Sequence, residues 1–148
     1  MKFAFVALAT LATACGPGTT QDSKLASSKS EPIIYISENP TTRDDLARIR
    51  SATIENNELV VDIVHTGGCR DHDYSFQIQE RFLESFPVQV VGAVVAKSSE
   101  FDPCKARVQK RLVFSLSTLA ERYQKTYGRS TGEILLRIAG HNSLVYRF

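Results

Sequence analysis

Apolar and polar residues alternate with a period of two from Glu31 to the C terminus, with turn residues interrupting every eight to twelve positions. In a strand, successive side chains point to opposite faces, so this period buries one face of a sheet and leaves the other in water. A helix, with its 3.6-residue repeat, cannot satisfy it. Tyr74, Phe76 and Ile78 alternate with Ser75, Gln77 and Gln79, and Ile134, Leu136 and Ile138 share a face near the end of the chain. The pattern predicts strands at residues 33–37, 52–54, 59–65, 74–79, 88–97, 107–116, 133–139 and 143–148, with Asn56-Asn57 as a turn. The run 88–96 is apolar on both faces, which places it at the centre of a sheet.

One short helix interrupts this order. Thr118-Leu119-Ala120-Glu121 has capping-box spacing, and Leu119, Arg122, Tyr123 and Tyr127 follow before Gly128, a natural helix stop. A second box at Thr42 to Asp45 sits close to Asn39-Pro40 and leads into only a short run. The expected fold is all-β: an antiparallel, immunoglobulin-like β-sandwich of about seven or eight short strands with one short helix. A small closed barrel is the alternative. The terminal Leu144-Val145-Tyr146-Arg147-Phe148 reads as an edge strand packing Leu144, Tyr146 and Phe148 inward. It lacks the outward apolar bands of a membrane barrel.

The first residues follow a different logic. Lys2 precedes the apolar run 3–14, which has the length of a signal-peptide core and falls short of the roughly 20 residues that span a bilayer. Ala12-Thr13-Ala14 fits ordinary signal peptidase, whereas Leu11-Ala12-Thr13-Ala14-Cys15-Gly16 resembles a lipobox, with Ala12 at the position where leucine is commonest. The second reading makes Cys15 a lipidated N terminus, and several acyl chains at about 0.8 kcal/mol per methylene make a permanent anchor. Gly16 in place of aspartate then implies the outer membrane. Residues 16–30 are rich in Gly, Ser, Thr and Lys and form a tether spanning roughly 20 Å. The division is therefore a signal peptide at 1–14, a lipidated cysteine and linker at 15–30, and one domain at 31–148.

With Cys15 lipidated, Cys69 and Cys104 remain. An even pair in an exported chain reads as a disulfide, and closing a loop of about 35 residues stabilises by about 4 kcal/mol. The alternative is a metal. Cys69-x-x-His72 has ligand spacing, and Cys104, His65 or Asp71 would complete a zinc or copper site. His72 stands between Asp71 and Asp73 and also reads as a loop histidine bonded to a carboxylate or to backbone, and no partner nucleophile is visible for it. Gly67-Gly68 fits a tight turn beside the cysteine.

Charge is uneven. Residues 15–104 hold 8 basic and 14 acidic side chains, a balance of −6, and residues 105–148 hold 9 and 2, a balance of +7. Arg107 and Arg111, with Gln109 between, share one strand face, and Lys105, Lys110, Arg122, Lys125 and Arg129 are near in sequence. Such a face attracts anionic envelope polymers or an acidic protein, while nucleic acid is not expected outside the cytoplasm. Gly128-Arg129-Ser130-Thr131-Gly132 matches a nucleophile elbow in letters only, because a helix precedes it and a strand follows. No phosphate-binding loop, dinucleotide fingerprint or calcium loop is present, and no cofactor is implied.

The run Ser51-Ala52, Leu59-Val60-Val61-Asp62, Gly68-Cys69-x-x-His72-x-Tyr74-x-Phe76, Glu84-Ser85-Phe86-Pro87, Asp102-x-Cys104 and Leu112 to Leu116 resembles a group of small bacterial envelope lipoproteins. That group has no established activity. The resemblance implies envelope placement and a Cys69–Cys104 pair, and it lends no catalytic residue. The sequence is thus read as a membrane-anchored, non-catalytic binding or accessory module. Its candidate contacts are Asp71, His72 and Asp73 in the loop and Arg107 and Arg111 on the strand. Two alternatives remain: an inhibitor of an envelope hydrolase such as a protease or lysozyme, and a metal protein using Cys69, His72 and Cys104.

Overall fold

Asn56 and Asn57 carry the chain through a two-residue reversal at φ of 48° and 64°, the left-handed pair that matches the twist of a tight hairpin. They join β3 (Ala47–Glu55) to β4 (Glu58–Gly67). The computed structural model describes residues 29–40, 47–97 and 101–148. Cys15, the tether as far as residue 28 and the helix candidate at 42–45 lie outside the described residues.

The other elements are β1 (Glu31–Pro32), β2 (Ile34–Ile36), β5 (Tyr74–Gln79), β6 (Val88–Ala96), β7 (Ala106–Ser115), α1 (Ser117–Tyr127), β8 (Glu133–Ile138) and β9 (Leu144–Arg147). They form a four-stranded sheet in the order β1-β7-β4-β3 and a five-stranded sheet in the order β2-β5-β6-β8-β9. Apolar positions of period two from both sheets meet between them: Leu59, Val61, Ile63 and Phe114 from one, Phe76, Ile78, Val90, Ile134 and Leu136 from the other. Phe76 and Phe114 touch across the layers, with ring centroids 5.6 Å apart. As its two apolar faces require, β6 is the middle strand of five.

The sandwich forms as expected, but its strand directions are mixed. β1 runs parallel to β7, β2 to β5 and β6 to β8. The strand predicted at 33–37 forms only over 34–36 as β2, with β1 an additional short strand before it: Ile33 between them turns into the core, and the chain passes from the edge of one sheet to the edge of the other. The third needs a crossover, which β7 in the other sheet and α1 supply together.

The helix also corrects the capping prediction. It begins at Ser117, its N-cap position is Leu116, which has no capping side chain, and the Ser115 hydroxyl accepts the Ser117 N–H at 3.4 Å. Thr118 instead accepts a hydrogen bond from the Tyr35 hydroxyl at 3.3 Å, so its oxygen is not turned back on the helix. The C-terminal expectation holds: Gly128 adopts φ 65° and donates its N–H to Gln124 O. Leu119, Ala120 and Tyr123 bury one face of α1 over the end of the sandwich.

Candidate functional site

At the opposite end, β4 finishes at Gly67, which pairs with Ala106 at the start of β7. The loop after β4 and the segment before β7 therefore leave the sheet side by side, and a disulfide between Cys69 and Cys104, with Cα atoms 5.5 Å apart, joins them. Asp102 organises both segments. Its Oδ1 accepts the Cys104 N–H at 2.9 Å, turning the chain around Pro103. Its Oδ2 accepts the N–H groups of Gly68 at 3.0 Å and Arg70 at 3.2 Å and the His72 Nε2–H at 3.0 Å.

The Asp102 side chain is only 5% exposed. Burial by itself would raise its pKa, but the bonds from Cys104, His72, Arg70 and Gly68 outweigh it and hold the carboxyl down to about 2. Close approach is possible because the neighbour is glycine. A Cβ on Gly67, at φ +150°, would lie 2.7 Å from Asp102 Oδ2 and 3.0 Å from His72 Nε2.

His72, its side chain 10% exposed, also packs edge-on against buried His65, with ring centroids 5.0 Å apart. Tyr74 lies against His65 at 5.8 Å, and desolvation pushes its phenol up to about 12. Lys110 donates to the His72 carbonyl, lies 3.7 Å from Asp73 Oδ1 and sits 5.9 Å from the Tyr74 ring centroid. The loop is thereby fixed at both ends and from beneath. Asp71 and Asp73 are exposed, whereas His72 is turned inward onto Asp102 and not onto either sequence neighbour.

Chemically this is a positioned histidine–carboxylate pair. Among the described residues no hydroxyl or thiol is bonded to His72. Cys69, Asp102 and Cys104 bring ligand atoms within 4.8 Å of one another, and neither histidine belongs to that group. The bridged sulfurs offer no thiolate. Asp102, quoted in sequence only within Asp102-x-Cys104 and not among the candidate contacts, is the organiser; its signal was an aspartate two residues before a cysteine, with proline between.

Arg107 and Arg111 do share the outward face of β7 with Gln109. The register extends that face across the sheet: Arg107 lies beside Thr66, Gln109 beside Val64 and Arg48, and Arg111 beside Asp62 and Ser51. Arg50 occupies the bulge between Ile49 and Ser51. Arg48, Arg50, Arg107 and Arg111 thus lie along one end of the face, where Asp62 accepts the Ser51 hydroxyl at 2.9 Å, and Glu55 and Glu58 occupy its other end. Among the described residues none of the four has a carboxylate within 4.0 Å. A shallow groove of about 520 Å³ runs between Arg50, Asp62, Gln109 and Arg111.

Three other basic residues are engaged elsewhere. Lys110 points to the loop, Arg122 stacks on Tyr35 at 4.5 Å, and Arg129 lines a groove beside the helix. Arg48 and Arg50, which sequence proximity did not connect to this face, complete it.

No family model matches the chain, and no curated protein matches it at a significant level. Two crystal structures share part of its course. A protein of unknown function, DUF1344, from Bacteroides vulgatus is 10% identical, with a TM-score of 0.45 over 80% of this chain and 56% of its own. A "putative lipoprotein" from Bacteroides fragilis is 10% identical, with a TM-score of 0.42 over 80% of this chain and 69% of its own. The chain therefore spans little more than half the length of the first.

Proposed function

We propose that this protein is a lipoprotein of the bacterial outer membrane, anchored through Cys15, whose disulfide-stapled β-sandwich is a non-catalytic binding module for an anionic partner. The observation that carries the binding role is the outward face of the four-stranded sheet. There Arg48, Arg50, Arg107 and Arg111 stand without described carboxylate partners within 4.0 Å, along the end of the face that holds Asp62, itself bonded to Ser51. Cationic groups fixed on a rigid sheet gain attraction for an anion without further ordering, and long-range attraction speeds encounter. The loop at 68–73 packs on the other side of β7, where Lys110 lies 3.7 Å from Asp73 and donates to the His72 carbonyl. His72 and Asp102 hold the loop in shape.

Two measurements test this reading. The intact mass of protein extracted from membranes should carry acyl chains on Cys15, and Cys15→Ser should release it; an unmodified mass overturns the anchor. Binding to polyglutamate should weaken as salt rises, and Arg107→Glu with Arg111→Glu should reduce affinity by about tenfold or more. Unchanged affinity in that double variant removes the face from the function.

A further inference from the structure

The turn between β5 and β6 ties itself down. Leu83 and Gln89 exchange backbone hydrogen bonds at 2.8 and 3.1 Å, and the Ser85 hydroxyl reaches Pro87 O at 2.6 Å. Phe86 at its tip is fully exposed, at 101%. A turn that holds a phenyl ring in water forgoes the burial of that ring, which a bound partner would supply.

That ring stands at the rim of a groove of about 780 Å³ at the helix end of the sandwich. Tyr123 and Tyr127 from α1 and Phe148 after β9 form its aromatic wall, with ring centroids 4.7 Å apart for Tyr123–Tyr127 and 5.3 Å for Tyr123–Phe148. The backbone at Gly132 lies so close that a Cβ there would sit within 3.0 Å of atoms in both Tyr123 and Phe148. Polar groups line the same space in balance: Glu84 and Glu133 against Arg129 and Arg147, with Thr131 between. Tyr127 donates to Glu84 Oε1 at 2.9 Å and Arg147 Nε to Glu133 Oε2 at 2.8 Å. Among the described residues the second oxygen of each carboxylate has no partner.

We propose that this groove is a second binding site, for a neutral pyranose oligosaccharide, with a sugar ring on Phe86 and Tyr127 and its hydroxyls taken by Glu84, Glu133 and Arg129. An acyl chain would fit the aromatic wall but would desolvate two carboxylates and two guanidinium groups without replacing their hydrogen bonds. A charged ligand meets like charge here as often as opposite charge. A pyranose offers an apolar C–H face to the rings and hydroxyls at its edge to planar acceptors and donors, so it satisfies both halves of the lining. The site lies on different elements from the arginine face and does not depend on it.

The test uses the full chain in a sugar-free zwitterionic detergent, with chitotetraose and maltotetraose as probes. Tyrosine emission is the readout, because the chain has five tyrosines and no tryptophan. The expected result is a saturable change with at least one sugar. Phe86→Ala and Glu84→Gln should each weaken it about tenfold at unchanged melting temperature. No saturation by either sugar up to roughly 10 mM overturns the proposal, as does wild-type affinity in both variants. Saturation by a neutral aromatic tetrapeptide and by neither sugar overturns it in favour of a protein partner.

Discussion

His72 Nε2 stands 3.0 Å from Asp102 Oδ2 across 30 residues of sequence, and that contact closes the loop beside the disulfide. The carboxylate it meets is held down to about 2 against an ordinary value of 3.8. The folded state therefore binds fewer protons than the unfolded state between these values, and the contribution is present above about pH 4 and lost as pH falls through about 2. The wild-type acid-unfolding curve should carry this component and that of Asp102→Asn should lack it, with a lower melting temperature at pH 7. Superimposable acid curves would remove Asp102 from this role.

The disulfide spans 35 residues. Loop-closure entropy assigns it about 4 kcal/mol, which for a domain near this size corresponds to a fall of roughly 15 °C in melting temperature. Cys69→Ala with Cys104→Ala should show that fall in calorimetry, and a change below about 3 °C contradicts it. Alkylation before reduction should add no label at either position.

Gly67 and Gly140 separate two reasons for glycine. Gly140, at φ +76°, has no atom of the described residues within 4 Å of where a Cβ would stand, so Gly140→Ala should cost only the backbone term, about 1 kcal/mol. Gly67→Ala would add a methyl group 2.7 Å from Asp102 Oδ2, and about 3 kcal/mol is expected. Chemical denaturation of the two variants should rank them in that order; equal losses refute the steric account.

Tyr146 is fully buried, and its hydroxyl lies 3.2 Å from Asn57 Oδ1 and 3.4 Å from Leu116 O. It ties β9 to the β3–β4 turn and to the start of α1. Tyr146→Phe keeps the ring and should lose about 1 kcal/mol, with no change in denaturant slope. A steeper or shallower slope would mean that the hydroxyl has a larger part in the fold than this bond.

Several elements were legible because their cause is local. Tyr74 to Gln79 alternates and is β5; the run from Val88 is apolar on both faces and is the central strand; Gly128 ends the helix. Other features depended on distant contacts. Thr118 has capping chemistry, yet Tyr35, 83 residues away, engages its oxygen. Strand direction at β1 and β2 followed from where Ile33 finds the core, which no local period encodes.

The candidate sites divide in the same way. Sequence alone determined that Arg107 and Arg111 share a face, because side-chain direction in a strand repeats every two residues, and it narrowed Cys69 and Cys104 to a pair. Only the tertiary structure decided that Arg48 and Arg50 join them, that His72 turns to Asp102 and not to Asp71 or Asp73, and that Phe86 overlooks the groove of Tyr123 and Phe148. The physical reason is that register and long-range hydrogen bonds are set by how two sheets bury their apolar faces together, a property of the whole chain and of no single segment.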